Sequence, residues 1–247
     1  MSTGVKVAGV ARLACAVLLA SAPWAVGCSS DIFDVTVDLS SEAYHADFGC
    51  TNGNIPSVAC DPSAPSVCTT GQTVDTDATA ATGVPANVSV TPGCDASSDL
   101  CFAQVMARVV YPVNVLQDDN FTTKVAQRTI SLVRLADLAY TVPIDTLTFA
   151  VPTVNIYVGP AGTTSETDPG VVLVGSTSPI PAATPVTSPL HLTIADGSPA
   201  RTLIEQSIQA EQTFVFVVTL APRIAAGDPI PAGAIEVDLF PQIQLGF

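Results

Sequence analysis

The chain has 247 residues, with 22 acidic against 8 basic side chains and a net charge of −14. That balance excludes nucleic acid and anionic lipid headgroups as partners recognised by charge, because both select basic patches. It favours solubility and cationic partners, Ca²⁺ among them.

The first element is a targeting signal. Lys6 and Arg12 form a short basic region around the start of an apolar run, Leu13 to Ala22. The run has the ~7–15 residues of a secretory signal and falls short of the ~18 needed to span a bilayer. Small residues at Ala25 and Gly27 set cleavage before Cys28, so 1–27 is read as a signal peptide and 28–247 as one domain. The tetrapeptide Ala25-Val26-Gly27-Cys28 resembles the lipobox of bacterial lipoproteins. The resemblance covers this segment only, and it departs at Ala25, where that family usually has Leu. It implies that Cys28 becomes the N-terminal residue, with a diacylglycerol on its thiol and a further acyl chain on its amine. It also implies a bacterial cell-envelope location, with membrane partnership through lipid. Ser29 after the cysteine resembles lipoproteins destined for the outer membrane. Two or more chains anchor stably where one is marginal, at ~0.8 kcal/mol per buried methylene. No later stretch offers a membrane-spanning apolar run.

Past Cys28 the charge becomes more lopsided, 22 acidic against 6 basic, and tryptophan is gone. Phe33, Val35, Val37 and Leu39 alternate with polar residues, the signature of a strand with one buried face. Residues 46–101 follow, a loop-rich stretch of Gly, Pro, Thr, Ser and Asp holding Cys50, Cys60, Cys68, Cys94 and Cys101. Such a segment buries too little apolar surface to offset its ordering entropy, and cross-links lower that cost. An oxidising compartment makes disulfides the default, and the spacings match no zinc pattern. The expected pairing is Cys94 with Cys101 across a short polar loop, with a second bridge among Cys50, Cys60 and Cys68.

Val84 to Val90 and Cys101 to Leu116 are β-prone, with Pro112 expected at an edge or bulge. Gln117-Asp118-Asp119-Asn120 reads as a turn. Thr129 to Val142 is a strand with a break near Ala136, and Thr146 to Val158 follows, interrupted by Pro152. Val171 to Gly175 and Pro185 to Ile194 are further strand segments. One helix is predicted after Ser198, an N-cap followed by Pro199, with Leu203, Ile204 and Ile208 on one face. Thr213 to Leu220 is an apolar strand buried on both faces, and Ala234 to Phe247 alternates to the end. These segments predict an all-β fold, a β-sandwich of eight or nine strands with one short helix.

The chemistry-bearing residues are sparse. His45 and His191 are far apart in sequence, outside any metal-binding or nucleophile motif. Asp118, Asp119 and Asn120, and also Asp75 with Asp77, are oxygen-rich enough for Ca²⁺ but lack the EF-hand pattern. No cofactor is expected. The sequence therefore points to a non-enzymatic envelope lipoprotein with a structural or interaction role toward an envelope protein. The alternatives are an exported ligand-binding module or a hydrolase with a dispersed active site, whose mark would be His45 or His191 lining a polar pocket beside a carboxylate.

Overall fold

Period-two alternation builds two sheets that share one core. The computed structural model describes residues 35–39, 42–48, 53–63, 68, 86–126 and 128–247. In chain order the described strands are β1 (Val35–Asp38), β2 (Glu42–Asp47), β3 (Ala86–Asp95), β4 (Leu100–Val113), β5 (Leu132–Asp145) and β6 (Val154–Pro160). They continue with β7 (Val172–Ser176), β8 (Val186–His191), β9 (Phe214–Leu220), β10 (Arg223–Ile224) and β11 (Ala234–Gly246). Two α-helices, α1 (Asp119–Val125) and α2 (Pro199–Gln209), and a one-turn 3-10 helix, Val115–Gln117, complete the described elements. The all-β sandwich expectation holds, with more strands than expected and a second helix. The extra strands are β2 and β10, in stretches where the sequence predicts no strand, and β1 and β2 lie end to end along one edge of β11. β9 and β10 do the same along β4.

The first sheet runs β1-β11-β5-β8 with β2 also on β11, and the second runs β10-β4-β9-β6-β7 with β3 on β4. All pairings are antiparallel. On β11, Ile235, Val237, Leu239, Ile243 and Leu245 are buried, and on β4 so are Cys101, Ala103, Val105, Ala107 and Val109. These two rows belong to one core, and Tyr44 meets Tyr111 edge to face with centroids 5.8 Å apart. The break expected near Ala136 is a bulge: Gln242 pairs with Asp137 and Ile243 with Leu135, leaving Ala136 without a partner residue. Pro112 is tolerated inside β4 by parity. The Val105 N–H points to the β10 side, donating to Pro222, so N–H groups at even positions point the other way. On that side β3 stops at the partner of Val109, so the missing N–H at Pro112 costs no ladder bond among the described residues.

Helix α2 closes an open edge. Ser198 caps it, and Ala200, Ile204 and Ile208 form its buried stripe. Strand β8 pairs with β5 only between Ala139 and Val142, so Leu135 lacks a strand on that side. Glu205 Oε1 accepts from the Leu135 N–H at 2.9 Å and from Arg201 Nε at 3.1 Å. The Arg201 guanidinium also donates to the Leu135 carbonyl and to Asp196. Two side chains of one helix thus satisfy both backbone groups of a strand residue, which blunts the edge.

A loop covers the outside of the second sheet. Every residue of β9 is buried, including outward-facing Val215 and Val217. The β6–β7 connection reaches across β9 to β4, where Glu166 accepts from Arg108 Nε at 2.5 Å and from Arg108 Nη2 at 2.7 Å. Asp168 braces the loop by accepting from the Thr164 N–H at 2.7 Å and the Ser165 N–H at 3.0 Å. The hydrogen bonds from Arg108 hold the Glu166 carboxyl below its ordinary pKa, against an opposing effect of burial. A depressed carboxylate adds stability above its unfolded pKa and loses it as pH falls through the folded one. Arg108→Ala is therefore expected to cost about 1–2 kcal/mol at neutral pH, the pair being partly exposed. The gap from the parent should shrink as pH falls below the ordinary glutamate range, which urea melts at several pH values read directly. An equal gap at every pH would contradict the ion-pair account.

The disulfides correct the sequence expectation. Cys94 and Cys101 are cross-strand partners in the β3–β4 ladder, yet each bonds to an incoming loop: Cys60–Cys94 and Cys68–Cys101. Neither the expected Cys94–Cys101 bridge nor a bridge within Cys50, Cys60 and Cys68 forms. The hairpin turn already holds itself. Asp95 Oδ1 accepts from the Ser97 N–H at 2.7 Å and from the Ser97 hydroxyl at 2.6 Å, and the Asp99 N–H bonds the Asp95 carbonyl at 2.8 Å. Bridges that span separations of 34 and 33 residues also remove more unfolded-chain entropy. The chain-entropy relation gives about 4 kcal/mol for such a loop and about 2.5 kcal/mol for one closing seven residues.

Candidate functional site

The residues most suited to chemistry gather on the outer face of the first sheet. Alternation on β11 sends Glu236, Asp238, Phe240, Gln242 and Gln244 outward. Register sets His45 of β2 opposite Glu236, and Thr141 of β5 opposite Asp238. Farther across, Asp137 of β5 lies opposite Gln242, and His191 of β8 opposite Ala139. Both histidines, remote in sequence, therefore share one sheet face, each with a carboxylate. His191 Nδ1 is 2.6 Å from Asp137 Oδ2, and His45 Nδ1 is 3.5 Å from Glu236 Oε2. Asp38 adds a fourth carboxylate and accepts from Gln242 Nε2 at 2.7 Å.

The cluster around Asp238 is the most perturbed part. Burial raises the Asp238 pKa first, repulsion from Glu236 raises it further, and a hydrogen bond from Thr141 opposes both. Asp238 Oδ1 and His45 Nδ1 are buried without a hydrogen bond. Perturbed groups concentrate at functional sites, which makes Asp238 and its neighbours the candidate site on this face. A raised carboxyl pKa means that ionisation costs the folded state, fully so above the folded pKa, and the cost disappears below the ordinary aspartate range. Asp238→Asn is expected to stabilise the protein at pH 7 by about 0.5 kcal/mol, the group being only partly buried. Chemical denaturation checks it: the gain should vanish near pH 3, and destabilisation at pH 7 would refute it.

The other sequence candidates play local roles or fall outside the described residues. Cys28, Cys50, Asp75 and Asp77 lie outside them. Asp118 caps α1 by accepting from the Phe121 N–H at 2.9 Å, and Asn120 Nδ2 donates to the Asp38 carbonyl at 3.1 Å. The stretch read as a turn is thus a helix start, and two of its three Ca²⁺ candidates have structural work.

Three shallow depressions lie on the surface. One of about 230 Å³ lies beside Tyr111, Asn114 and Asp118, a second of about 580 Å³ along α2, and a third of about 310 Å³ between Arg134 and Glu205. A small recess of about 40 Å³ takes in Asp137. Neither histidine lines any of these four. Each histidine has the carboxylate neighbour of the hydrolase mark.

No family model matches this chain, and no curated protein matches it. Among solved structures it is similar to a chain of Desmodium yellow mottle tymovirus, with 10% identity and a TM-score of 0.25 over 99% of this chain and 95% of that one. A likeness this slight carries no argument about fold or function.

Proposed function

We propose that this protein is an exported lipoprotein of a bacterial envelope, held at the membrane by lipid on Cys28 and serving a structural or interaction role. The observation that carries the proposal is the disulfide framework behind a signal-like N-terminal segment. Cys60–Cys94 and Cys68–Cys101 staple a polar loop to the sandwich, a device suited to an oxidising compartment. The segment ending in Ala25-Val26-Gly27-Cys28 supplies the route there. The acidic outer face of the first sheet, with Asp38, Asp137, Glu236 and Asp238, supports an interaction role toward a cationic surface. Expression in a bacterial host with fractionation tests the anchor: the wild type should pellet with membranes and Cys28→Ala should move to the soluble fraction. Equal partitioning of both proteins would count against it.

A second reading, an exported hydrolase, is favoured by the His191–Asp137 contact at 2.6 Å. Its test is a screen of ester, peptide, glycoside and phosphate substrates. A turnover abolished by His191→Ala or His45→Ala would replace the interaction role with catalysis.

A further inference from the structure

The four bridged cysteines form one sulfur cluster. The Sγ atoms of Cys60, Cys68 and Cys101 lie within 4.8 Å of one another, although Cys60 belongs to one bridge and the other two to the second. Cys94, bonded to Cys60, is the cross-strand partner of Cys101, a position in which β-carbons stand ~5 Å apart. The two bridges also differ in access. Cys60 and Cys94 are half-buried, whereas Cys68 and Cys101 are each 2% exposed. An external thiol therefore reaches the first bridge, and the second is reached through Cys60.

We propose that the cluster is a thiol-responsive exchange site, at which a small-molecule or protein thiol converts the paired bridges Cys60–Cys94 and Cys68–Cys101 into Cys60–Cys68 and Cys94–Cys101. The thiolate attacks Cys94 Sγ, forms a mixed disulfide there and expels the Cys60 thiolate. Cys60 attacks Cys68 Sγ and expels the Cys101 thiolate. Cys101 attacks Cys94 Sγ across the hairpin and releases the original thiolate. Two disulfides are present before and after, the thiol is regenerated, and nothing is oxidised or reduced overall. The register of Cys94 and Cys101 directs the closing step, because Cys68 has no such placement opposite Cys94.

The consequence is local release. In the observed pairing both bridges tie the 53–68 segment to the β3–β4 hairpin. In the exchanged pairing each bridge closes within its own segment. The 53–63 stretch then keeps the packing of Ile55 in the core and hydrogen bonds such as the Cys60 N–H to the Asp99 carbonyl at 2.9 Å and the Ile55 N–H to the Asp228 carbonyl at 2.8 Å. The exchanged form gives up the ties that seat this segment on the hairpin, so it is the minor one at equilibrium.

The test incubates the folded protein with reduced glutathione at mildly alkaline pH, quenches in acid and maps bridges in a peptic digest. Cys60–Cys68 and Cys94–Cys101 peptides should appear together and in equal amounts, without urea. Persistence of the original pairing alone would overturn the proposal, as would Cys60–Cys101 with Cys68–Cys94 as the main new set. The Cys60→Ala protein gives a second reading that needs no added thiol. Its Cys94 thiol should capture Cys101 and leave Cys68 free in a measurable share of molecules. Cys68–Cys101 intact throughout, with Cys94 free, would overturn it.

Discussion

Gly233→Ala is expected to unfold far more easily than the parent, by about 4 kcal/mol, through a backbone collision that the fold has no room to relieve. Gly233 precedes β11 with φ +94°, a region that alanine enters only at a cost. A β-carbon there would stand 2.1 Å from the Thr146 carbonyl oxygen and 3.0 Å from Leu147 Cα. Those atoms are themselves held. The Thr146 N–H bonds the Ala234 carbonyl at 2.8 Å, and the Ala234 N–H bonds the Thr146 hydroxyl at 2.8 Å. The Phe48 N–H bonds the Gly233 carbonyl at 2.9 Å, so β2 is tied to the same point. Gly162→Ala separates the two causes. Its φ is +86° but nothing lies within 4 Å, so it carries the backbone cost alone, about 1 kcal/mol. Thermal melts of the two variants should differ by roughly 6–12 °C at 2–4 °C per kcal/mol for a domain of this size. Equal melting points would contradict the packing at the β5–β11 junction.

The second large effect belongs to the buried bridge. Replacing Cys68 and Cys101 together by alanine is expected to cost about 4 kcal/mol. The bridge spans 33 residues, and both side chains sit in the core. The cost has two sources: the unfolded chain regains the freedom of a long loop, and buried sulfur contacts are lost. Denaturant unfolding should show a lower midpoint. A loss below about 1 kcal/mol would mean that the hydrogen bonds of the 53–63 segment hold it without the bridge.

Legibility followed the reach of each signal. Alternation in Ala234 to Phe247 and in Cys101 to Leu116 is local, and β11 and β4 lie there. Ser198, Pro199 and the Ile204–Ile208 spacing mark α2 as clearly in the sequence as in the structure. Helix α1 was hidden because Asp118-Asp119-Asn120 serves a turn and a helix start equally well, and the buried anchors Phe121 and Val125 come only after it. The disulfide pairing was hidden for another reason. Closeness in sequence favours Cys94 with Cys101, and register does bring them opposite each other, but the partners arrive from a loop whose path no local pattern encodes. The acidic face shows the same division. The outward positions of β11 are readable from alternation, whereas the meeting of His45 with Glu236 depends on β2 lying beside β11, a non-local fact.

The central claim is that the chain is exported and lipid-anchored at Cys28, and intact-mass measurement of the protein purified from host membranes tests it most directly. The account predicts a chain beginning at Cys28, heavier than its amino-acid mass by a diacylglycerol and an acyl chain, with four downstream cysteines in two disulfides. A protein that retains residues 1–27, or one that begins at Cys28 with no added lipid, would contradict it.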